Sequence, residues 1–399
     1  MHPTGTPDNR PVLDELLRGG KLSMRRSALF DEPPPGAAEP VDFARVEGMV
    51  LGLAIGDALG NTTEGMPPAD RRAFCGEVRD YLPNPRRRRR GDGEPCRVGL
   101  PSDDTQLAGR TLAQGLADGG LVCENLAHRL AAGPIWGLGN TVRQFVENHR
   151  AGLPWFECGP RSAANGALMR IAPILVPHVG SADSRLWADA ALAAAITHND
   201  PASTAACVAF VAILWDLLHA RAAPEERWPL RRYVEVAAPI EGETRYGSRR
   251  PPAGAARARF PSADGQYVGP VWRFVETRVA AMLDAPAPPP AADACRTWGS
   301  GAYLLETLPS VLYILCRHLR DPEEAIVRAV NDTADNDTIG AIVGAAVGAL
   351  HGRDALPARW REGLVGGIEI RQPGGDAAAD GQLFDLLDRA RREWGGAAP

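Results

Sequence analysis

Residues 48–60, GMVLGLAIGDALG, carry glycine at 48, 52, 56 and 60, and residues 336–352, NDTIGAIVGAAVGALHG, carry it at 340, 344, 348 and 352. A four-residue interval sets the glycines of each run on one face of a helix. Glycine inside a helix costs about 1 kcal/mol relative to alanine, so a ladder of four needs compensation. Close approach of another helix backbone supplies it. Two apolar, glycine-laddered helices therefore predict a tightly packed centre, and few windows show the period-two alternation of strands. The fold class is all-α, a compact single-domain bundle.

Around this centre, Asp200-Pro201 and Asp321-Pro322 each set a capping acid before a proline at the first helical position. Thr204–His219 and Ala302–Leu319 are apolar with helical period. Residues 1–40 form an N-terminal extension holding one short amphipathic piece, with Leu13, Leu16 and Leu17 as its docking face. Residues 41–395 make the helical domain, with irregular surface insertions near 224–269 and 284–293 and a charged loop at Arg86–Arg90.

The composition of the 399 residues, 45% hydrophobic and 23% charged, is that of a globular protein. A formal net charge of −5 offers no basic footprint for nucleic acid and no attraction to anionic membrane. Seven dispersed cysteines suit neither a disulfide framework nor a zinc cage. No signal-peptide core opens the chain, and no stretch approaches a span of roughly 20 apolar residues. The expected location is the reducing cytoplasm, with no membrane or nucleic-acid partner.

Three acidic clusters stand at helix boundaries: Asp57 with Glu64 where the first ladder ends, Ser102-Asp103-Asp104-Thr105 before the run Gln106–Leu116, and Asp335-Asn336-Asp337-Thr338 before the second ladder. Each alone is explained as a helix cap. A cap, however, needs one oxygen, and each cluster offers two carboxylates; adjacent carboxylates repel unless a cation joins them. Glu64, Asp103, Asp104, Thr105, Asp335, Asp337 and Thr338 form an all-oxygen set suited to Mg²⁺, with Mn²⁺ as the alternative. The donors suffice for two ions about 3.5–4 Å apart. If the clusters share one site, residues 42–352 must be a single domain. The segment Ser162–Arg170 is a small-residue loop whose amides suit a diphosphate; an ordinary loop is the competing reading. Thr197-His198 precedes a cap, where a lone histidine more often serves structure.

GLAIGDALG with Glu64, SDDT, NGALMRIAP, the Thr197-His198 pair and DNDTIGAIVGAAVGALHG stand in the order found in the ADP-ribosylglycohydrolase family, which this chain resembles over residues 44–355. The resemblance implies an orthogonal multi-helix bundle around a dinuclear metal cleft. It carries the metal ligands over to Glu64, Ser102, Asp103, Asp104, Asp335, Asp337 and Thr338, holding two Mg²⁺. It implies substrate contacts at Arg161, Ser162, Ala163, Ala164, Asn165 and Gly166, at His198, and at Ser300, Gly301 and Tyr303. Ala164 departs from the family's usual glycine, and its methyl would restrict the loop if the backbone there needed positive φ.

The implied activity is hydrolysis of the bond between ADP-ribose and a modified target, with ADP-ribosylated protein as substrate (arginine favoured) and ADP-ribose as product. Asp104 or Glu64 is the general base, and the sequence does not choose between them. The alternative is an immunity-type binding protein whose N-terminal extension obstructs an ADP-ribosyltransferase toxin, with or without hydrolysis; deleting residues 1–40 should then spare catalysis. A two-metal phosphoesterase ranks last, because the clusters lack the histidines such sites often use.

Overall fold

The computed structural model describes residues 7–36, 40–83, 98–180, 183–248, 267–367 and 382–396. The Arg86–Arg90 run, Cys96 and much of the second half of 224–269 lie outside the described residues. Seventeen α-helices account for the described architecture, and the strands are one antiparallel pair, Tyr246–Gly247 with Val268–Gly269.

The two glycine ladders pack on each other. Gly48 meets Gly348, Gly52 meets Gly344, and Gly56 meets Gly340, so the helices Phe43–Asn61 and Asn336–His351 run antiparallel with backbones in contact. A Cβ added at Gly52 would lie 2.1 Å from the Gly344 carbonyl oxygen, and one at Gly344 would lie 2.0 Å from that of Gly52. At the end of the seam, Gly60 lies against the backbone of Asn336 and Asp337. Asn336 Nδ2 locks that end by donating to the Gly60 carbonyl and to Thr63 Oγ1, both at 3.0 Å. The seam thus delivers the acid-bearing end of one helix onto the acid-bearing start of the other.

Both proline caps form as expected. Asp200 accepts from the amides of Ala202 and Ser203, and Asp321 accepts from Glu324. The helix after Asp200, Pro201–His219, corrects the expectation that no stretch matches a membrane span. Its 19 residues pass on length and apolarity, but 94% of that window is buried in the core. It is apolar all round because it is enclosed all round.

The reading of 224–269 as irregular is also corrected. Trp228–Glu241 is a helix packed on Pro201–His219, burying Leu230, Tyr233, Val236, Ala237 and Ile240. Its prolines hid the periodicity: Pro229 sits in the first turn, where no amide is needed, and Pro239 lies near the last. In the 284–293 run, only the part before Ala291 is irregular, since Ala291–Trp298 is a helix.

The N-terminal extension is built into the core. Leu13, Leu16, Leu22, Met24 and Phe30 are buried. Asn9 Nδ2 donates to the Leu121 carbonyl at 2.9 Å and to Asp189 Oδ1 at 2.7 Å. The indoles of Trp187 and Trp215 donate to the carbonyls of Glu32 and Pro35. Truncating residues 1–40 would therefore expose core side chains, and a loss of activity on truncation would report folding before it reported any blocking role.

Candidate metal and substrate cleft

Asp57 is the residue around which the acidic site is organised. It is fully buried in the first ladder helix, one turn before its end. Its carboxylate accepts the Ser102 amide (2.8 Å to Oδ1, 3.0 Å to Oδ2), the Thr105 amide (3.0 Å) and the Thr105 hydroxyl (2.6 Å). The helix Asp103–Asp118, which starts three residues before the expected run, is capped by this acid from another helix; the Ser102 side chain makes no cap bond. Ser102 Oγ instead donates to Asp104 Oδ2 at 2.9 Å. The hydroxyl expected at a metal is thus engaged with Asp104, as the Thr105 hydroxyl is with Asp57.

The third cluster is braced from two sides. Asn165 Nδ2 donates to Asp335 Oδ2 at 2.6 Å and to Thr307 Oγ1 at 3.1 Å, tying the small-residue loop to the acid. The Ser300 carbonyl accepts the amides of Ala334 and Asp335, and its hydroxyl accepts Ala334 as well. Ser300 holds φ at 55°, the one positive value among described non-glycine residues. Ala164 therefore carries no such strain, and its departure from glycine costs the loop nothing on that account.

Arg71, also fully buried, donates to Thr63 Oγ1 and to the carbonyls of Met66, Asn331 and Thr333. It thereby joins the turn that carries Glu64 to the segment before Asp335. Neither Asp57 nor Arg71 was assigned a role from the sequence. Asp57 had a visible signal, a carboxylate within the apolar glycine-ladder stretch 48–60. Arg71 had none, because three of its four partners are backbone carbonyls that any residue could supply.

A cleft of about 500 Å³ opens over these groups. Its walls include Glu64, Asp103, Asp335, Asp337 and Thr338 at the acidic end, and Ser162, Ala163, Ala164, Asn165, Gly166, His198 and Tyr303 elsewhere. Asp104 lies beneath, 1% exposed. Three assigned substrate residues stand apart from this lining. Arg161 is solvent-exposed, with its nearest acid, Asp200, at 3.9 Å. Ser300 and Gly301 lie behind the wall, where the Gly301 amide donates to Glu306 Oε2 at 3.0 Å. The loop amides are also less free than a diphosphate cradle requires, since the Asn165 amide donates to the Ala302 carbonyl and the Ala164 amide to Ser162 Oγ.

The carboxylates of Asp57, Asp104 and Asp337 bring oxygens within 4.8 Å of one another, all buried. Burial holds Asp103, Asp104 and Asp337 well above the usual carboxylate range, and the neighbouring acids push in the same direction. Burial also raises Asp57 to about 6, opposed by the hydrogen bonds it accepts from Thr105 and Ser102, and Asp335 to about 6, opposed by Asn165. Asp104 Oδ1 is buried without a hydrogen-bond partner. An all-oxygen donor set, crowded negative charge and an orphaned carboxylate oxygen together fit a hard divalent cation.

A pH dependence follows. A carboxylate raised in the folded state binds its proton more tightly there than in the unfolded chain, so stability falls as pH rises through the folded value. Metal-free protein is expected to lose melting temperature from about pH 4 to just above pH 6, between the unfolded and folded values of Asp57 and Asp335. Added Mg²⁺ is expected to reverse the loss, most strongly at the upper end. Thermal melts in EDTA and in Mg²⁺ across that range check both.

Comparison with known proteins agrees with this geometry. The sequence profile of the ADP-ribosylglycohydrolase family matches residues 38–394. The ADP-ribosyl-[dinitrogen reductase] glycohydrolase of Rhodospirillum rubrum is 28% identical over 79% of this chain and 88% of its own. An ADP-ribosylarginine hydrolase of Serratia proteamaculans is 25% identical over 89% of this chain and 84% of its own. A solved ADP-ribosylglycohydrolase-related protein complex shares the fold, with TM-score 0.58 and 23% identity, covering 90% of this chain and 99% of that one. The chain, a hydrolase of glycosyl bonds, belongs to the ADP-ribosylglycohydrolase family.

Proposed function

We propose that the enzyme releases ADP-ribose from ADP-ribosylated protein, with arginine as the favoured acceptor, and that it requires Mg²⁺. The observation that carries the metal requirement is the convergence of the Asp57, Asp104 and Asp337 carboxylates, with Asp104 Oδ1 buried and unpartnered. Asp103, Asp335, Thr338 and Glu64 extend the oxygen donors along the cleft wall, enough for a second ion. Bound there, Mg²⁺ would supply Lewis-acid charge and fix ribose hydroxyls. Support for arginine is the name of the Serratia proteamaculans relative.

The bond to be cleaved leaves C1″ of the ribose with oxocarbenium character, so the protein must hold the sugar and ready a water. Of the two candidate bases, Glu64 is favoured: it is exposed and lines the cleft, whereas Asp104 lies under it with Ser102 bonded to one oxygen. Glu64→Gln is expected to lower kcat by about 10²–10³-fold, with ADP-ribose affinity within a few-fold of wild type. Single-turnover release together with ligand titration checks this.

The reading is tested by incubating the protein with arginine- and serine-ADP-ribosylated proteins, in Mg²⁺ or EDTA, and measuring free ADP-ribose. Metal-dependent release from the arginine conjugate is the expected result. Release that persists in EDTA would remove the metal requirement, and release from the serine conjugate alone would reassign the acceptor. The described cysteines are unpaired, which suits the reducing cytoplasm proposed as its location.

A further inference from the structure

Behind His198, which lines the cleft, stands a buried cation that takes no part in the acidic cluster. Arg170, at the end of the NGALMR motif, is fully buried, and among the described residues it has no carboxylate partner. Its Nη2 donates to the Ala193 carbonyl and to Thr197 Oγ1, both at 2.8 Å, while Nε and Nη1 have no partner. Thr197 Oγ1 in turn lies 3.0 Å from His198 Nδ1. The other imidazole nitrogen, Nε2, is buried and has no partner, on a side chain that lines the cleft beside Gly166.

These contacts determine which way the protons run. Thr197 is fully buried, and its hydroxyl oxygen already accepts from a guanidinium. That donation makes the hydroxyl a stronger donor and a poorer acceptor. Of the described contacts of Thr197 Oγ1, only His198 Nδ1 can take its hydrogen. Were Nδ1 protonated instead, the hydroxyl hydrogen would be left buried with nothing to receive it, at a cost of about 1–3 kcal/mol. The chain Arg170→Thr197→His198 therefore leaves Nδ1 as acceptor and sets the imidazole proton on Nε2. Burial, reinforced by the Arg170 charge, brings the His198 pKa down to about 3, so the ring is neutral and carries that one proton.

We propose that Arg170 and Thr197 are positioning residues that hold His198 as the Nε2–H tautomer, presenting a hydrogen-bond donor in the cleft to an oxygen of the ligand's diphosphate. The diphosphate is favoured over a ribose hydroxyl because the uncompensated Arg170 charge stands behind this wall, where an anion gains most. The cleft would then be bipolar, with carboxylates at the sugar end and a cationic relay at the phosphate end. The identity of the ligand rests on the proposed ADP-ribose activity; the tautomer does not.

The test uses full-length protein labelled with ¹⁵N-histidine, the His198 signals being those lost in His198→Gln. Wild-type protein without ligand is expected to show a protonated Nε2 and an unprotonated Nδ1. Thr197→Val, which keeps the shape and removes the hydroxyl, is expected to abolish that preference and raise the Kd for ADP-ribose about tenfold. Thr197→Ser is expected to retain both. A protonated Nδ1 in wild type would overturn the proposal, and so would a Thr197→Val protein with unchanged tautomer and unchanged affinity. A wild type with Nε2 protonated that fails to bind ADP-ribose would retract the substrate assignment and leave the relay standing.

Discussion

Asp104→Asn is expected to abolish ADP-ribose release, by about 10³-fold or more, while leaving the fold intact and the metal-free protein no less stable. The activity loss follows from position. Asp104 Oδ1 is a buried carboxylate oxygen without a hydrogen-bond partner, and its neighbours Asp57 and Asp337 lie within reach of a shared ion. A cation held by such a set is worth several kcal/mol at the transition state, and each 1.36 kcal/mol is tenfold in rate. The stability expectation has the opposite sign for the same reason. Asp104 is raised by burial first and then by Asp57, Asp337, Asp103 and Asp335. Replacing it with a neutral amide of the same shape removes repulsion in the empty site. Melting temperatures in EDTA and in Mg²⁺, with release assays alongside, check both halves. Wild-type turnover would sink the assignment, and a variant unfolded in EDTA would show that the carboxylate serves the fold.

Gly344→Ala is expected to destabilise the protein by about 3 kcal/mol or more, and Gly344→Val to prevent folding. On an exposed helix the alanine would gain about 1 kcal/mol. Here the new methyl would lie 2.0 Å from the Gly52 carbonyl oxygen, and backbone cannot rotate aside as a side chain does. The two helices must separate, and the separation is transmitted to the acid-bearing ends of the seam, where Gly60 touches Asp337. Gly180→Ala, whose methyl would meet only the Trp394 carbonyl at 3.8 Å, is the expected neutral control. Denaturant midpoints for the three variants test the contrast. A Gly344→Ala protein as stable as wild type would mean that the seam is looser than its contacts indicate.

Local sequence was sufficient where one segment carries its own cause. The four-residue glycine interval requires a backbone partner whatever that partner is, and the Asp-Pro caps form from neighbours in the chain. Paired carboxylates in SDDT and DNDT mark a crowded acidic site because their repulsion is local. Prolines obscured the Trp228–Glu241 helix, because Pro229 and Pro239 look like breaks until the ends of the helix are known.

Tertiary structure decided which groups meet. Asp57 looked like one acid among apolar residues, yet its carboxylate caps a helix 45 residues away, because the Ser102 and Thr105 amides arrive there only in the folded chain. Ser102 reads as a ligand from its cluster, and packing aims its hydroxyl at Asp104; Ser300 and Gly301 read as substrate contacts, and packing ties them to Ala334, Asp335 and Glu306, outside the residues that line the cleft. Arg170 looked like the end of a motif, and burial without an acid made it the source of the relay to His198. In each case the residue type was legible, but the partner lay far along the chain. A hydrogen bond or a buried charge is defined by its partner, so its role existed only once packing had brought the two together.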